Sequence, residues 1–177
     1  MEDLIKKIEQ WAEDRNIIKG TKPIDQAMKL FSEFGELADN VGKGRDCRDD
    51  IGDVFVVLTI MCKQMNHCIG DHIGSYGGSI YSTKTAVSDL ATELAQIVSD
   101  CDDLKIDPED NIAPIDMAVA HLDAIAIDIG ATLEECIQIA YNDIKDRKGI
   151  VSNGVFIKES DPVYAQVIAE IKGNHSV

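Results

Sequence analysis

Apolar residues recur along most of this chain at three- and four-residue spacing, the rhythm of helices that bury one face. Leu4, Ile5, Ile8 and Trp11 begin the series and predict a first helix over residues 2–18, ended by Gly20. Thr21-Lys22-Pro23 is a start signal for a second helix, from about Pro23 to Val41. Ile24, Ala27, Phe31, Phe34, Ala38 and Val41 form its expected apolar face. Gln26, Lys29, Glu33, Glu36 and Asn40 repeat the same rhythm as a polar stripe. Gly42 ends that helix, and Gly42-Lys43-Gly44-Arg45 is a short basic turn. Asp46 is the expected cap of a third helix reaching about His67, whose run Val54-Phe55-Val56-Val57-Leu58 has no polar side and predicts burial on most sides.

Residues 69–82 hold four glycines with Tyr76 and Tyr81, and read as a flexible loop. A fourth helix is expected at about 83–104, a break at Asp107-Pro108, and a fifth helix at about 114–129. Thr132-x-x-Glu135 is a capping box that opens a sixth helix at about 133–148. Ile150 to Lys158 then changes character. Asn153-Gly154 between apolar runs predicts a hairpin, and Asp161-Pro162 starts a last short helix. The expected fold is all-α: an antiparallel helical bundle over residues 1–149, with a small C-terminal β-hairpin and short helix over 150–177 as an appendage.

Composition narrows the function. The 177 residues are 45% hydrophobic, enough for a packed core, and only 5% aromatic. Seventeen Lys and Arg against thirty-two Asp and Glu give a formal charge of −15. Such a surface repels a polyphosphate backbone, which argues against nucleic-acid partners. The longest apolar stretch, Val54 to Cys62, is too short to span a bilayer. The acidic Met1-Glu2-Asp3 start fits no secretory signal, and five cysteines without a C-x-x-C fit reduced thiols, so a cytoplasmic protein is expected.

The candidate chemistry lies in Glu33, Glu36, Asp50 and Asp53. Each pair is separated by three, so each helix offers a two-pronged carboxylate. A short turn between the helices implies antiparallel packing, which brings the pairs level. Carboxylates crowded this way raise one another's pKa unless a cation neutralises them. Oxygen ligands favour Mg²⁺, with Mn²⁺ as a substitute. The bland reading is also open: first-turn acids compensate a helix dipole, which accounts for Asp49 and Asp50, and Glu33 and Glu36 then belong to a solvated face.

Phe31-Ser32-Glu33-Phe34-Gly35-Glu36-Leu37-Ala38, followed by Asp49-Asp50-Ile51-Gly52-Asp53-Val54, resembles the E-E-x-x-E and E-x-x-D signature of the MazG-like all-α nucleoside triphosphate pyrophosphohydrolases. The likeness extends to Trp11–Arg15 and to Ala118–Gly149, with Asn142-x-x-Lys145-x-Arg147 inside it. Ser32 replaces the first Glu of the doublet, and Asp50 stands one methylene short of the usual Glu. The resemblance implies hydrolysis of (d)NTP to (d)NMP and pyrophosphate, in the service of nucleotide-pool clearing. It implies Mg²⁺ held by Glu33, Glu36, Asp50 and Asp53, with Glu33 or Glu36 activating water, and phosphate or sugar contact by Asn142 and Lys145.

The supporting residues carry two readings each. Lys29, one turn before Glu33, is a substrate-phosphate ligand or an ion-pair partner. Arg147 and Lys148 are read as compensating the dipole of the sixth helix. Lys43 and Arg45 are phosphate contacts beside the carboxylates or, as two basic residues on an exposed turn, simply solvated. Trp11, Phe34 and Phe55 are base-pocket candidates that equally suit a core. The family habit and the all-apolar third helix imply a homodimer or homotetramer. The alternative function is a non-catalytic bundle binding a divalent cation for structure or regulation. A di-iron bundle would need Glu-x-x-His, and no histidine stands three residues after a Glu.

Overall fold

The computed structural model describes residues 1–74, 82–102 and 112–174. The tyrosines at 76 and 81, the break at Asp107-Pro108 and His175 lie outside them. The described chain is mainly helical: α1 Glu2–Asp14, α2 Ile17–Gly20, α3 Pro23–Lys43, α4 Arg48–Gln64, α5 Thr83–Asp102, α6 Ile112–Asp128, α7 Leu133–Ile144 and α8 Tyr164–Asn174. A 3-10 turn spans Ile69–His72, and β1 Gly149–Ser152 pairs antiparallel with β2 Val155–Lys158. The all-α expectation holds at this level.

Element ends differ from the sequence reading for local reasons. The expected first helix is two, because Asn16 takes a left-handed conformation (φ 57°) between α1 and α2. The helix α3 runs one residue past Gly42; Gly44, at φ 65°, ends it. Cys47, not Asp46, occupies the N-cap of α4, although Asp46 Oδ1 still accepts the Arg48 N–H at 3.2 Å. The capping box of α7 forms as expected, with Glu135 Oε2 accepting the Thr132 N–H at 2.8 Å. That helix ends at Ile144, so Arg147 and Lys148 are not in its last turn.

Helix α4 is the centre of the molecule. Residues from Val54 to Cys62 are all buried, and α1, α3 and α7 pack around it. Its apolar surface is therefore covered within one chain, and does not call for a subunit partner as the sequence reading supposed. The order of contacts shows α3 and α4 antiparallel: Asn40 meets Asp50 near the turn, and Glu33 acts on Asp53 farther along. Helix α5 packs on α3 and pairs with α6, which also touches α4 and α7, and one continuous core joins α1, α3, α4, α5, α6 and α7.

The tightest joint is between α4 and α7. A Cβ on Gly52 would stand 2.2 Å from the Cys136 carbonyl oxygen and 2.7 Å from the Ala140 Cβ. Only glycine lets the two backbones approach this closely.

The hairpin turns at Asn153 (φ 50°) and Gly154 (φ 78°), as Asn-Gly predicts. It is not a detached appendage. Val151 and Phe156 pack on the helical core, and the tip is pressed against the first turn of α3, where a Gly154 Cβ would lie 2.6 Å from Asp25 Oδ2.

Two glycines give opposite expected outcomes. Gly52→Ala forces α4 and α7 apart and lowers unfolding free energy by about 2–3 kcal/mol. Gly35→Ala, in α3 where nothing lies within 4 Å, raises it by about 0.5–1 kcal/mol. Urea unfolding of both variants measures the difference.

Candidate functional site

The turn between α3 and α4 is short because Gly44 reverses the chain at once, and the two helices then run side by side. Their carboxylates are not equivalent. A spacing of three residues rotates a side chain about 60° around a helix axis. On α3 that rotation separates Glu33, 6% exposed within the buried stripe of Gln26, Ala27, Leu30 and Leu37, from Glu36, which is exposed. The expected polar stripe is thus half buried, while Phe31, placed on the apolar face by its spacing, is 40% exposed.

On α4, Asp50 is buried and accepts a hydrogen bond from Asn40 Nδ2 at 2.8 Å. Asp53, three residues on, is half-buried and faces the flank between α3 and the end of α7. Burial pushes the Asp53 carboxyl up to about 7, and the charges of Glu33 and Asp49 add to it, against Arg147 and Lys29. Burial also raises Asp50, with Glu33 adding and the Asn40 bond opposing. Asp49 is raised by burial and by Asp143 of α7. Glu33, Asp49, Asp50 and Asp53 therefore share one field. Among the described residues, no three His, Cys, Asp or Glu side chains are already gathered as a metal cage.

A cavity of about 380 Å³ opens beside these acids. Glu33 and Lys29 of α3 line it, as an ion pair, together with Asp53 of α4. Arg147, after α7, and Lys158 of β2 bring further positive charge to its wall. Trp11, Ile17, Val57, Ile60 and Phe156 make its apolar part, with the Trp11 and Phe156 rings edge to face at 6.0 Å between centroids.

Arg15 fixes this wall. Its guanidinium lies 4.8 Å from the Trp11 ring centre. Its Nε donates to the Arg147 carbonyl at 2.6 Å and its Nη2 to the Lys145 carbonyl at 3.2 Å. The segment after α7 is thereby tied to α1, and Arg147 is held on the cavity side.

Of the expected site residues, Lys29, Glu33 and Asp53 meet at the cavity. Asp50 lies next to them, between the helices, and Glu36 is off the cavity wall. Asn142 and Lys145 are exposed and bonded to each other, Nζ to Oδ1 at 3.2 Å, away from the lining. Arg147, read from the sequence as a dipole residue, lines the cavity, which Lys145 does not. Of the three aromatic candidates only Trp11 lines the cavity; Phe55 is core and Phe34 packs against it. Gln26, Phe156 and Lys158 were not legible as site residues. The Gln26 side chain looked like surface, and nothing in residues 150–158 says which helices the hairpin covers.

No family model matches the chain, and no solved structure matches it. A relative among known proteins is the uncharacterized 18.2 kDa protein in the rep-hol intergenic region of Haemophilus phage HP1 (strain HP1c1), 51% identical over 69 residues. That match covers 38% of this chain and 42% of the relative. No helix among the described residues is long and apolar enough to cross a membrane.

The raised Asp53 carboxyl fixes the sign of a pH effect. Between about 4 and 7 the native state holds a proton there that the unfolded chain, at 3.8, has released. The native state binds more protons, so stability falls as pH rises through that window. Asp53→Asn removes this loss. The variant is expected to be more stable than the parent at pH 8 by about 1–2 kcal/mol, allowing for partial exposure, with the gain shrinking toward pH 4. Urea unfolding at the two pH values reads it.

Proposed function

We propose that this chain is a divalent-cation-dependent nucleoside triphosphate pyrophosphohydrolase of MazG-like type, hydrolysing (d)NTP to (d)NMP and pyrophosphate to clear or adjust a nucleotide pool. One observation carries the reading. A single cavity combines carboxylates from two helices, cations from three segments and an aromatic, apolar wall. These are the three surfaces that a metal-bound triphosphate with an attached base requires.

The donor set suits Mg²⁺ or Mn²⁺. Glu33 and Asp53 offer hard oxygens, and their mutual repulsion is what a dication relieves. Glu33 and Asp53 would hold the ion, with Asp50 beside them and Glu36 one turn along α3. Bound there, the cation supplies Lewis-acid polarisation of the α-phosphoryl group and neutralises charge on the leaving pyrophosphate. The protein's own groups supply position. Arg147 and Lys158 hold the phosphate tail, and Lys29 orients Glu33. Glu33 takes the proton of the attacking water. Trp11 and Phe156 flank the base in water-poor surroundings.

The rival reading, a cation held for structure or regulation in a non-catalytic bundle, uses the same carboxylates but leaves the cationic and aromatic walls of the cavity without a role. A catalytic Mg²⁺ needs only one or two carboxylates, because substrate phosphates and water complete its shell. A homodimer or homotetramer belongs to the same proposal. Met28 (59% exposed) and Phe31 of α3, and Ile127 (58%) of α6, offer apolar surface to a second copy.

Incubation with a panel of NTPs and dNTPs plus Mg²⁺ is expected to release pyrophosphate and the monophosphate. Release of orthophosphate alone, or no turnover with any nucleotide, defeats the reading. Glu33→Gln and Asp53→Asn are each expected to lower kcat by about 100-fold or more with helicity intact. Arg147→Ala is expected to act mainly on KM, raising it about tenfold. Glu36→Ala is expected to cost less than either carboxylate on the cavity wall.

A further inference from the structure

Two side chains of the cavity lining, Trp11 and Gln26, carry a polar atom without a partner among the described residues. Trp11 Nε1 is buried and bonds to nothing among the described residues. Gln26, 7% exposed, lines the same cavity. Its Nε2 donates to Thr21 Oγ1 at 2.9 Å, and its Oε1 accepts from no described residue.

The orientation of the Gln26 amide is fixed by its neighbours. Thr21 Oγ1 donates its own proton to the Ile17 carbonyl at 2.8 Å. It can then only accept. Gln64 Nε2 donates to it at 2.9 Å and also lies 3.1 Å from the Thr21 carbonyl, so Gln64 too must turn its amino side this way. Gln26 is therefore bound to present N–H to Thr21, which leaves its carbonyl oxygen as an acceptor at the cavity.

We propose that Gln26 is a specificity-determining residue, whose Oε1 accepts a hydrogen bond from the exocyclic amino group of a nucleobase lodged beside Trp11. This rests on the nucleotide reading of the cavity and goes beyond it by naming the base class. Adenine, cytosine and guanine carry such a group; adenine and cytosine have no ring N–H beside it, whereas guanine has its N1–H there, so the proposal is for adenine or cytosine. Thymine and uracil offer an imide N–H flanked by two carbonyl oxygens, whose lone pairs face the Gln26 oxygen unfavourably. The network Ile17–Thr21–Gln26 holds the acceptor in place before the ligand arrives. A site built to pair a donor discriminates strongly against a ligand that lacks it.

The test uses binding, so that it stands apart from turnover. Trp11 is the protein's one tryptophan and lines the cavity, so its fluorescence reports occupancy directly. Two ligand pairs differ by the amino group alone: dAMP against purine 2′-deoxyriboside 5′-monophosphate, and dCMP against its pyrimidin-2-one counterpart. The amino member of at least one pair is expected to bind about tenfold more tightly. Gln26→Met is expected to bring that ratio near one while leaving the weaker ligand's affinity unchanged. Gln26→Asn, which withdraws the amide by one methylene, provides the same reading should the methionine variant not fold. Ratios below threefold in both pairs, or a ratio that persists in the folded Met or Asn variant, overturn the inference. Discrimination without turnover would leave it standing and overturn the hydrolase reading. No fluorescence change with any nucleotide overturns the inference, while the hydrolase reading still stands or falls on pyrophosphate release.

Discussion

The close approach of α4 to α7 at Gly52 is the constraint on which the rest depends. A helix with apolar residues on all sides must be enclosed, and α4 is enclosed by α1, α3 and α7. With glycine at the joint, the backbone of α7 comes into direct contact with the first turns of α4. The aspartates of those turns are then confined to the flanks, between α4 and α3 or near the end of α7. Charge is thus forced into partly buried ground beside a packed core, and the raised carboxyl of Asp53 is the electrostatic result.

The charges around the cavity form a balanced set in a strongly acidic molecule. The formal charge is −15, yet at this opening Lys29, Arg147 and Lys158 match Asp25, Glu33 and Asp53. Arg15 contributes without facing the opening: by gripping the carbonyls of Lys145 and Arg147 and lying on Trp11, it couples the cationic wall to the aromatic one.

Much of the helical fold was legible because the helix period is dense in this sequence. The capping box at Thr132, the Asn153-Gly154 turn and the apolar run of α4 all appear where their chemistry places them. Element ends were less legible, since Asn16 and Gly44 act through backbone conformations that residue type only suggests. The pairing of Glu33 with Asp53 across two helices followed from spacing and a short turn. The different fates of Glu33 and Glu36 did not, because a 60° rotation becomes burial or exposure only once the neighbouring helix is placed. Arg147, Gln26 and Phe156 were hidden for the same reason: their roles come from contacts between segments far apart in the chain.

The hairpin has a consequence for how the molecule is made. The helical core is complete at Ile144, while Val155, Phe156 and Lys158 come later in the chain. During synthesis the buried core residues therefore all precede the side of the cleft that the hairpin supplies. One wall of the cavity is thus added by a part of the chain that follows α7, so a chain stopped just after α7 lacks Val155, Phe156 and Lys158 from that wall.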